Sequence, residues 1–147
     1  MIIANMTENH VAQVAALEKL CFGTEAWSEK SVASELSNKL SLWLVAEEDG
    51  RVLGYVGSQT VMDETDMMNV AVSPECRRCG IARKLVLALV EELRLKGSRC
   101  LTLEVRASNE PAKSLYETMG FSQVGLRKNY YRNPKEDAMI LRKEWEI

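Results

Sequence analysis

The chain has 147 residues, close to the length of one ordinary domain, so we expect a single domain over residues 1–147. Its 19 basic and 21 acidic side chains give a net charge of −2, which argues against a general nucleic-acid partner, because such a partner needs a basic surface. No apolar stretch approaches about 20 residues, the length of a membrane span, and the N-terminus carries no secretory signal. The sequence therefore predicts a cytoplasmic globular protein with no membrane partner.

Hydrophobic periodicity and turn residues predict the order βααβββαβαββ. Asp49-Gly50, between two apolar runs, predicts a hairpin, because both turn positions favour positive φ. Thr7 and Ser28 are predicted helix caps, and the first helix carries an apolar stripe that ends at Leu20. Strands are predicted near residues 2–5, 42–46, 52–61, 67–73, 101–106, 123–129 and 138–143, and helices near 8–20, 28–38, 80–96 and 109–119. This order is typical of an α/β domain whose first half is mainly antiparallel.

Four cysteines raise the question of zinc or redox chemistry. Cys76 and Cys79 form a Cys-x-x-Cys pair, whereas Cys21 and Cys100 lie alone in the sequence. A structural zinc site needs further ligands at matched spacing, and a redox pair belongs at a helix start near the N-terminus. We therefore expect reduced thiols and no metal. A zinc or redox protein built on the pair remains an alternative.

The segment from Met68 to Arg83 is the most informative part of the chain. It leads from a strand through a short loop into a long helix, with Arg77 and Gly80 just before the helix begins. Free backbone N–H groups at a helix N-terminus bind anions, and a glycine there lets a phosphate approach closely. A Walker A loop and a Rossmann fingerprint both need further glycines, so the sequence excludes them. The alternative to a phosphate site is a plain connection with a turn glycine.

The loop residues Arg77-x-x-Gly80-x-Ala82 resemble the acetyl-CoA pyrophosphate loop of the GNAT family of N-acetyltransferases. Nearly the whole chain is similar to the members that acetylate the N-terminal alanine of ribosomal proteins. The similar segments are Trp27-Ser28, Leu103-Glu-Val-Arg-Ala-Ser-Asn-Glu-Pro-Ala-Lys-Ser-Leu-Tyr-Glu-Thr-Met-Gly-Phe121, Asn129-Tyr-Tyr131 and Asp137-Ala138. The resemblance implies the single-domain GNAT fold, a mixed central sheet with a splayed pair of strands, flanked by about four helices.

The resemblance also implies a reaction and a set of site residues. An amine would attack acetyl-CoA directly, and the expected acceptor is the N-terminal alanine of a small-subunit ribosomal protein. Glu104 matches the family's general base, and Tyr116 matches its proton donor to the leaving thiolate. The residues that match substrate contacts are Trp27, Tyr130 and Tyr131. Those that match acetyl-CoA contacts are Val70, Ala71, Val72, Arg77, Arg78, Cys79, Gly80, Ile81, Ala82, Arg83 and Asn109.

Without the resemblance, each of these residues has a plainer interpretation. Glu104 could be a solvated strand residue paired with Arg106, Tyr116 a core aromatic, and Asn109 simply a helix cap. His10, the one histidine, suits a capping or surface role better than catalysis. Two other functions also stay open: a GNAT enzyme that acts on lysine or a small-molecule amine, and a non-catalytic acyl-CoA-binding module.

Overall fold

Seven strands form one mixed sheet in the order β1-β2-β3-β4-β5-β7-β6. The computed structural model describes residues 1–146. The strands are β1 (Ile2–Asn5), β2 (Ser41–Glu48), β3 (Arg51–Val61), β4 (Glu64–Val72), β5 (Cys100–Arg106), β6 (Ser122–Arg132) and β7 (Lys135–Glu144). The helices are α1 (Glu8–Phe22), α2 (Glu29–Ser34), α3 (Ile81–Leu95) and α4 (Glu110–Thr118). The predicted α/β class and order of elements are confirmed, and no helix in the described part is long and apolar enough to cross a membrane.

The first half of the sheet is antiparallel, as predicted. Strands β1 to β4 pair in sequence order. Asp49 and Gly50 both have positive φ, 51° and 79°, which is the geometry that a two-residue hairpin between twisted strands requires. The pairing of β3 with β4 shifts register at Gly57, which leaves Met68 without a residue opposite it. This β-bulge bends β4 just before the loop that leads to α3.

Strands β4 and β5 are parallel, but they stay together only briefly. Their register covers Glu64–Asp66 against Cys100–Thr102. Beyond these three positions the strands separate, while β5 continues its pairing with β7 as far as Arg106. The splayed pair expected for this fold is therefore present, and it opens the sheet in its middle.

Two apolar clusters cover the two faces of the sheet. The larger cluster packs α3 and α4 against the sheet, and α3 contributes Ile81, Leu85, Leu89 and Leu93. These four residues recur every four positions, so they form one stripe along the helix. The second cluster packs α1 and α2 against the opposite face, around Trp43 and Tyr55.

Two details of the first helices differ from the predictions. Leu20 is 66% exposed, because six residues at 100° each place it about 120° from the buried Val14. Glu18 is buried on that face instead. Helix α2 ends at Ser34, followed by a short 3₁₀ turn at Glu35–Ser37. Serine side chains here hydrogen-bond to carbonyls three residues earlier, which competes with a regular helix.

Candidate active site

A cleft of about 440 Å³ lies where β4 and β5 separate. Glu104 and Leu103 both line it, and successive strand residues point to opposite faces of a sheet. The cleft therefore passes between the strands and reaches both faces. Where β4 and β5 no longer pair, the backbone N–H and C=O groups on their facing edges are available to a ligand. An extended molecule can thus be held there by main-chain hydrogen bonds.

The loop between β4 and α3 has the geometry of an anion site. Gly80 precedes the first turn of α3 with φ 76°, in the left-handed region. A Cβ built there meets nothing within 4 Å, so the space over this residue is open. Helix α3 has no side-chain cap, whereas Ser28 and Asn109 cap α2 and α4. The first N–H groups of α3 therefore remain available to a phosphate.

Arginine side chains flank this helix start on two sides. The Arg77 guanidinium lies 3.6 Å from Cys21 Sγ, on the α1 side, and Arg83 donates to Thr118 Oγ1 at 3.1 Å, at the end of α4. Arg78, with φ 66°, and Cys79 are exposed. Within the first turn of α3, Ile81 is buried and Ala82 is half-buried. The structure thus brings the predicted loop residues together around one open helix end.

Glu104 lies on the face of β5 opposite the α3 cluster. Its Oε2 atom is buried, has no hydrogen-bond partner and lies 3.5 Å from Arg127 Nε. The side chain lines the main cleft and also a second cavity of about 300 Å³. A buried carboxylate oxygen without a partner is rare, because desolvating it is costly. The atom is therefore open to a hydrogen-bond donor that enters the cleft.

Tyr116 approaches the cleft from the other face, on α4. Its side chain is 3% exposed and packs edge-on against Phe121, with ring centroids 5.3 Å apart. The hydroxyl lies 4.0 Å from Met67 Sδ, a weak acceptor. Burial raises the pKa of Tyr116 well above its usual range. The hydroxyl is therefore protonated at neutral pH and can donate a hydrogen bond to a group in the cleft.

Two of the remaining predicted acetyl-CoA contacts lie in the same cleft. Val70 and Asn109 line it directly. Ala71 packs with the α1 cluster, while Val70 and Val72 pack against the α3 cluster. The Asn109 side chain accepts the N–H of Ala112 at 3.2 Å, so it is also the α4 cap.

The three predicted substrate residues occupy different positions. Tyr131 lines the cleft, and Tyr130 lines the second cavity beside Glu104. Burial raises the pKa of Tyr131 to about 12, and the Glu104 carboxylate acts in the same direction. Trp27 packs against Trp43 in the α1 cluster, with ring centroids 5.4 Å apart. The cleft is lined instead by Glu25 of the α1–α2 connection and by Phe22, the last residue of α1.

Arg106 holds the turn between β6 and β7 beside the cleft. It donates to the carbonyls of Pro134 at 2.8 Å and Asn133 at 3.3 Å, and its guanidinium lies 4.2 Å from the centre of the Tyr131 ring. The plainer interpretation of Glu104 paired it with Arg106, but Glu104 lies beside Arg127, and Arg106 lies 3.4 Å from Glu136. The contacts of Arg106 depend on the register of β5 with β7, which residues near Arg106 do not encode.

Other titratable groups take local roles. His10 Nδ1 accepts the N–H of Thr7 at 2.9 Å, which is the capping role predicted for it. All four cysteines are free, and burial raises the pKa of Cys100. Within residues 1–146, no group of three or more histidine, cysteine or acidic residues is placed to hold a metal ion.

Comparisons with known proteins assign the class to which this fold and site belong. The acetyltransferase (GNAT) family pattern matches residues 11–121. A Bacillus subtilis protein, named as a candidate [ribosomal protein bS18]-alanine N-acetyltransferase, is 39% identical over 140 residues, covering 95% of this chain and 92% of its own. The Escherichia coli [ribosomal protein bS18]-alanine N-acetyltransferase is 39% identical over 117 residues, 78% of each chain.

Solved structures of acetyltransferases share this fold. The crystal structure of the Escherichia coli ribosomal-protein-S18-alanine N-acetyltransferase has a TM-score of 0.89 and 32% identity, covering 99% of this chain and 94% of that one. An aminoglycoside 6′-N-acetyltransferase complexed with coenzyme A has a TM-score of 0.86 at 18% identity, which shows the shared fold alone. The chain belongs to the acetyltransferase (GNAT) family. It is an acetyl-CoA-dependent N-acetyltransferase.

Proposed function

We propose that this enzyme transfers the acetyl group of acetyl-CoA to the N-terminal alanine of ribosomal protein bS18, acting in the cytoplasm as one domain over residues 1–147. The observation that carries the proposal is the buried Oε2 of Glu104, which accepts no hydrogen bond, in a cleft whose other wall holds the Tyr116 hydroxyl. The acceptor follows from the names of relatives that are 39% identical.

Acetyl-CoA supplies the acetyl group as a thioester, which an amine can attack directly. The uncapped start of α3, with Gly80 and the arginines beside it, would hold the diphosphate. The edge of β4 from Val70 to Val72 would hold the pantetheine arm, and a backbone N–H there would stabilise the charge that develops on the acetyl oxygen. Asn109, at the start of α4, would hydrogen-bond the same arm.

Two side chains would move protons, one on each face of the sheet. Glu104 Oε2 would accept the proton of the attacking amine, directly or through one water molecule. Tyr116 would give its phenolic proton to the departing sulfur. The phenol is protonated at the working pH, as a proton donor must be, because even an unshifted tyrosine loses its proton only at about pH 10. We expect both proton transfers to take place in the cleft between β4 and β5.

An α-amine suits this base better than a lysine side chain does. The pKa of an α-amine is about 7.7–8.0 and that of lysine about 10.4, so near pH 7 the α-amine is neutral hundreds of times more often. A carboxylate is a weak base. It suits an α-amine better than a lysine, because the α-amine is far more often already neutral and needs no deprotonation before attack. Phe22, Glu25 and Tyr131, which line the cleft, would form the walls around the first residue.

The direct test is acetylation of peptides followed by mass spectrometry. A peptide with the bS18 N-terminal sequence starting at alanine should be acetylated at its α-amine, and a series that differs only at residue one should show a preference for alanine. The matched control is the same peptide with a blocked N-terminus and a free internal lysine. Transfer to the control alone would contradict the proposal and favour a lysine acetyltransferase.

Variants at Tyr131 then test where the peptide lies. Tyr131→Phe removes only the hydroxyl, whereas Tyr131→Ala removes the cleft wall. We expect the second change to raise the peptide KM by more than the first and to weaken the preference at residue one. A rate that responds neither to residue one nor to either variant would mean that the substrate binds elsewhere.

A further inference from the structure

Glu18 is a buried carboxylate that the reaction described above does not use. It lies in α1 with an exposure of 0%. Glutamate is almost never fully buried unless it is paired, because desolvating the charge costs more than an ordinary apolar contact returns. A leucine at this position would complete the buried face of α1. The carboxylate thus requires an explanation other than packing.

Three hydrogen-bond donors surround this carboxylate. Oε2 accepts from the Tyr55 hydroxyl of β3 and from Asn69 Nδ2 of β4, the latter at 2.5 Å, and Oε1 accepts the backbone N–H of Trp27 at 2.9 Å. Hydrogen bonds to a charged acceptor are about twice as strong as neutral ones. Glu18 therefore joins α1, β3, β4 and the α1–α2 connection at one point.

Two of these partners belong to segments that line the cleft. Asn69 lines it and directly follows Met68, the bulged residue of β4. The next residue, Val70, begins the backbone edge that would hold the acetyl arm. Trp27 lies in the α1–α2 connection, where Glu25 lines the cleft together with Phe22, the last residue of α1. One carboxylate thus holds both the acyl wall and the acceptor wall.

We propose that Glu18 is a positioning residue for acetyl transfer, which holds the bulge of β4 and the α1–α2 connection in a fixed relation across the cleft. In its absence the two walls move independently, and the amine and the acetyl group lose their alignment. Misplacement of reacting groups by about 1 Å can cost about 100-fold in rate. The part concerning the peptide wall rests on the function proposed above.

The test variant is Glu18→Gln, and the chain offers a matched control. Glutamine keeps the shape, but its NH₂ group must face at least one of the three donors. Glu35 is also buried and accepts from neutral donors, namely Asn38, Ser41, Trp43 and Gln59, but it does not line the cleft. Glu35→Gln should therefore lower the melting temperature to a similar extent without affecting catalysis.

We expect Glu18→Gln to lower kcat at least tenfold and to weaken the preference for the first residue of the peptide. Its acetyl-CoA Kd should stay within about threefold of wild type, because the α3 loop is untouched. Glu35→Gln should stay within about twofold in kcat. A folded Glu18→Gln variant whose kcat falls no further than that of Glu35→Gln would overturn the proposal. If Glu18→Gln does not fold, Tyr55→Phe and Asn69→Ala each remove one donor, and unchanged kcat in both would overturn it equally.

Hydrogen exchange separates this result from a failure of the proposed function. With acetyl-CoA bound, Glu18→Gln should exchange faster than Glu35→Gln over residues 22–27 and 67–72. This measurement needs no acceptor. If the wild-type protein acetylates no α-amine, the proposed function is refuted, but the exchange comparison still tests the role of Glu18. Equal exchange rates in Glu18→Gln and Glu35→Gln would refute that role.

Discussion

Replacing Tyr116 by phenylalanine should separate catalysis from stability in this enzyme. The change removes a hydroxyl whose contact is the weak acceptor Met67 Sδ at 4.0 Å. An ordinary hydrogen bond contributes about 1 kcal/mol to the free energy of unfolding, and a poorly paired buried hydroxyl contributes less. We expect a change within about 1 kcal/mol in either direction. The ring, which carries the packing against Phe121, stays in place.

The loss of activity should be much larger. A general acid contributes about 100- to 10,000-fold to a rate, which corresponds to about 3–5 kcal/mol of barrier. Steady-state assays that follow thiol release should show this loss in kcat, while calorimetry shows acetyl-CoA affinity within about threefold of wild type. The control is Phe121→Leu, which should cost about 1–2 kcal/mol of stability yet keep the hydroxyl.

Two outcomes would refute this reasoning. If Tyr116→Phe keeps more than a tenth of the wild-type kcat with chemistry rate-limiting, the hydroxyl is not the proton donor. If kcat falls as far in Phe121→Leu as in Tyr116→Phe, the loss comes from a displaced Tyr116 ring and not from the missing phenolic proton.

The raised pKa of Tyr116 adds a prediction for stability against pH. The folded state favours the protonated phenol, so its stabilising contribution is complete below the unfolded pKa of about 10 and is lost as pH rises above that value. Denaturant unfolding between pH 9 and pH 11 should therefore destabilise wild type more than Tyr116→Phe. An identical decline of the free energy of unfolding in both proteins would mean that Tyr116 does not cause this pH dependence.

Three further predictions concern the base, the phosphate loop and the hairpin. Glu104→Gln should lower kcat about 100-fold or more near pH 7. The variant's kcat should approach that of wild type toward pH 9, because the peptide α-amine then loses its proton without a base. A ratio of the two kcat values that does not change with pH would argue against a base. Gly80→Val should lose about 1–3 kcal/mol of stability, because valine is strained at φ 76° even though its Cβ meets nothing within 4 Å. The folded variant should raise the acetyl-CoA Kd at least tenfold in calorimetry, and unchanged affinity would exclude a phosphate there. Arg106→Lys cannot reach both the Asn133 and Pro134 carbonyls, so we expect a raised peptide KM with unchanged acetyl-CoA Kd, and the reverse pattern would contradict it.

Much of the fold followed from local pattern. The alternation of Leu101, Leu103 and Val105 with polar residues predicted β5, and Asp49-Gly50 predicted the hairpin, since both signals depend on neighbours in the sequence. The cap at Asn109 was predictable for the same reason. Helix α2 was predicted too long because serine side chains compete locally for the backbone, an effect that hydrophobic periodicity does not register.

The loop around Gly80 was the part of the site most readable from sequence. An anion site at a helix start is built from consecutive residues, so its motif is local. The family resemblance then supplied Glu104 and Tyr116, which spacing alone left as a surface acid and a core aromatic. Their position on opposite faces of one cleft became apparent only in the structure, because it depends on where β4 leaves β5.

By itself, then, the sequence determined most of the elements, their order and the open loop before α3, because each depends on residues within a few positions of one another. The tertiary structure alone decided which distant groups meet. Glu18 reaches partners 37 and 51 residues away, and Arg127 comes beside Glu104 through two strand pairings. Such contacts depend on strand register and helix packing across the whole sheet, and the bulge that leaves Met68 unpaired sets the register of β4 at the cleft. No local pattern encodes that register, since it is selected by the burial of both faces at once.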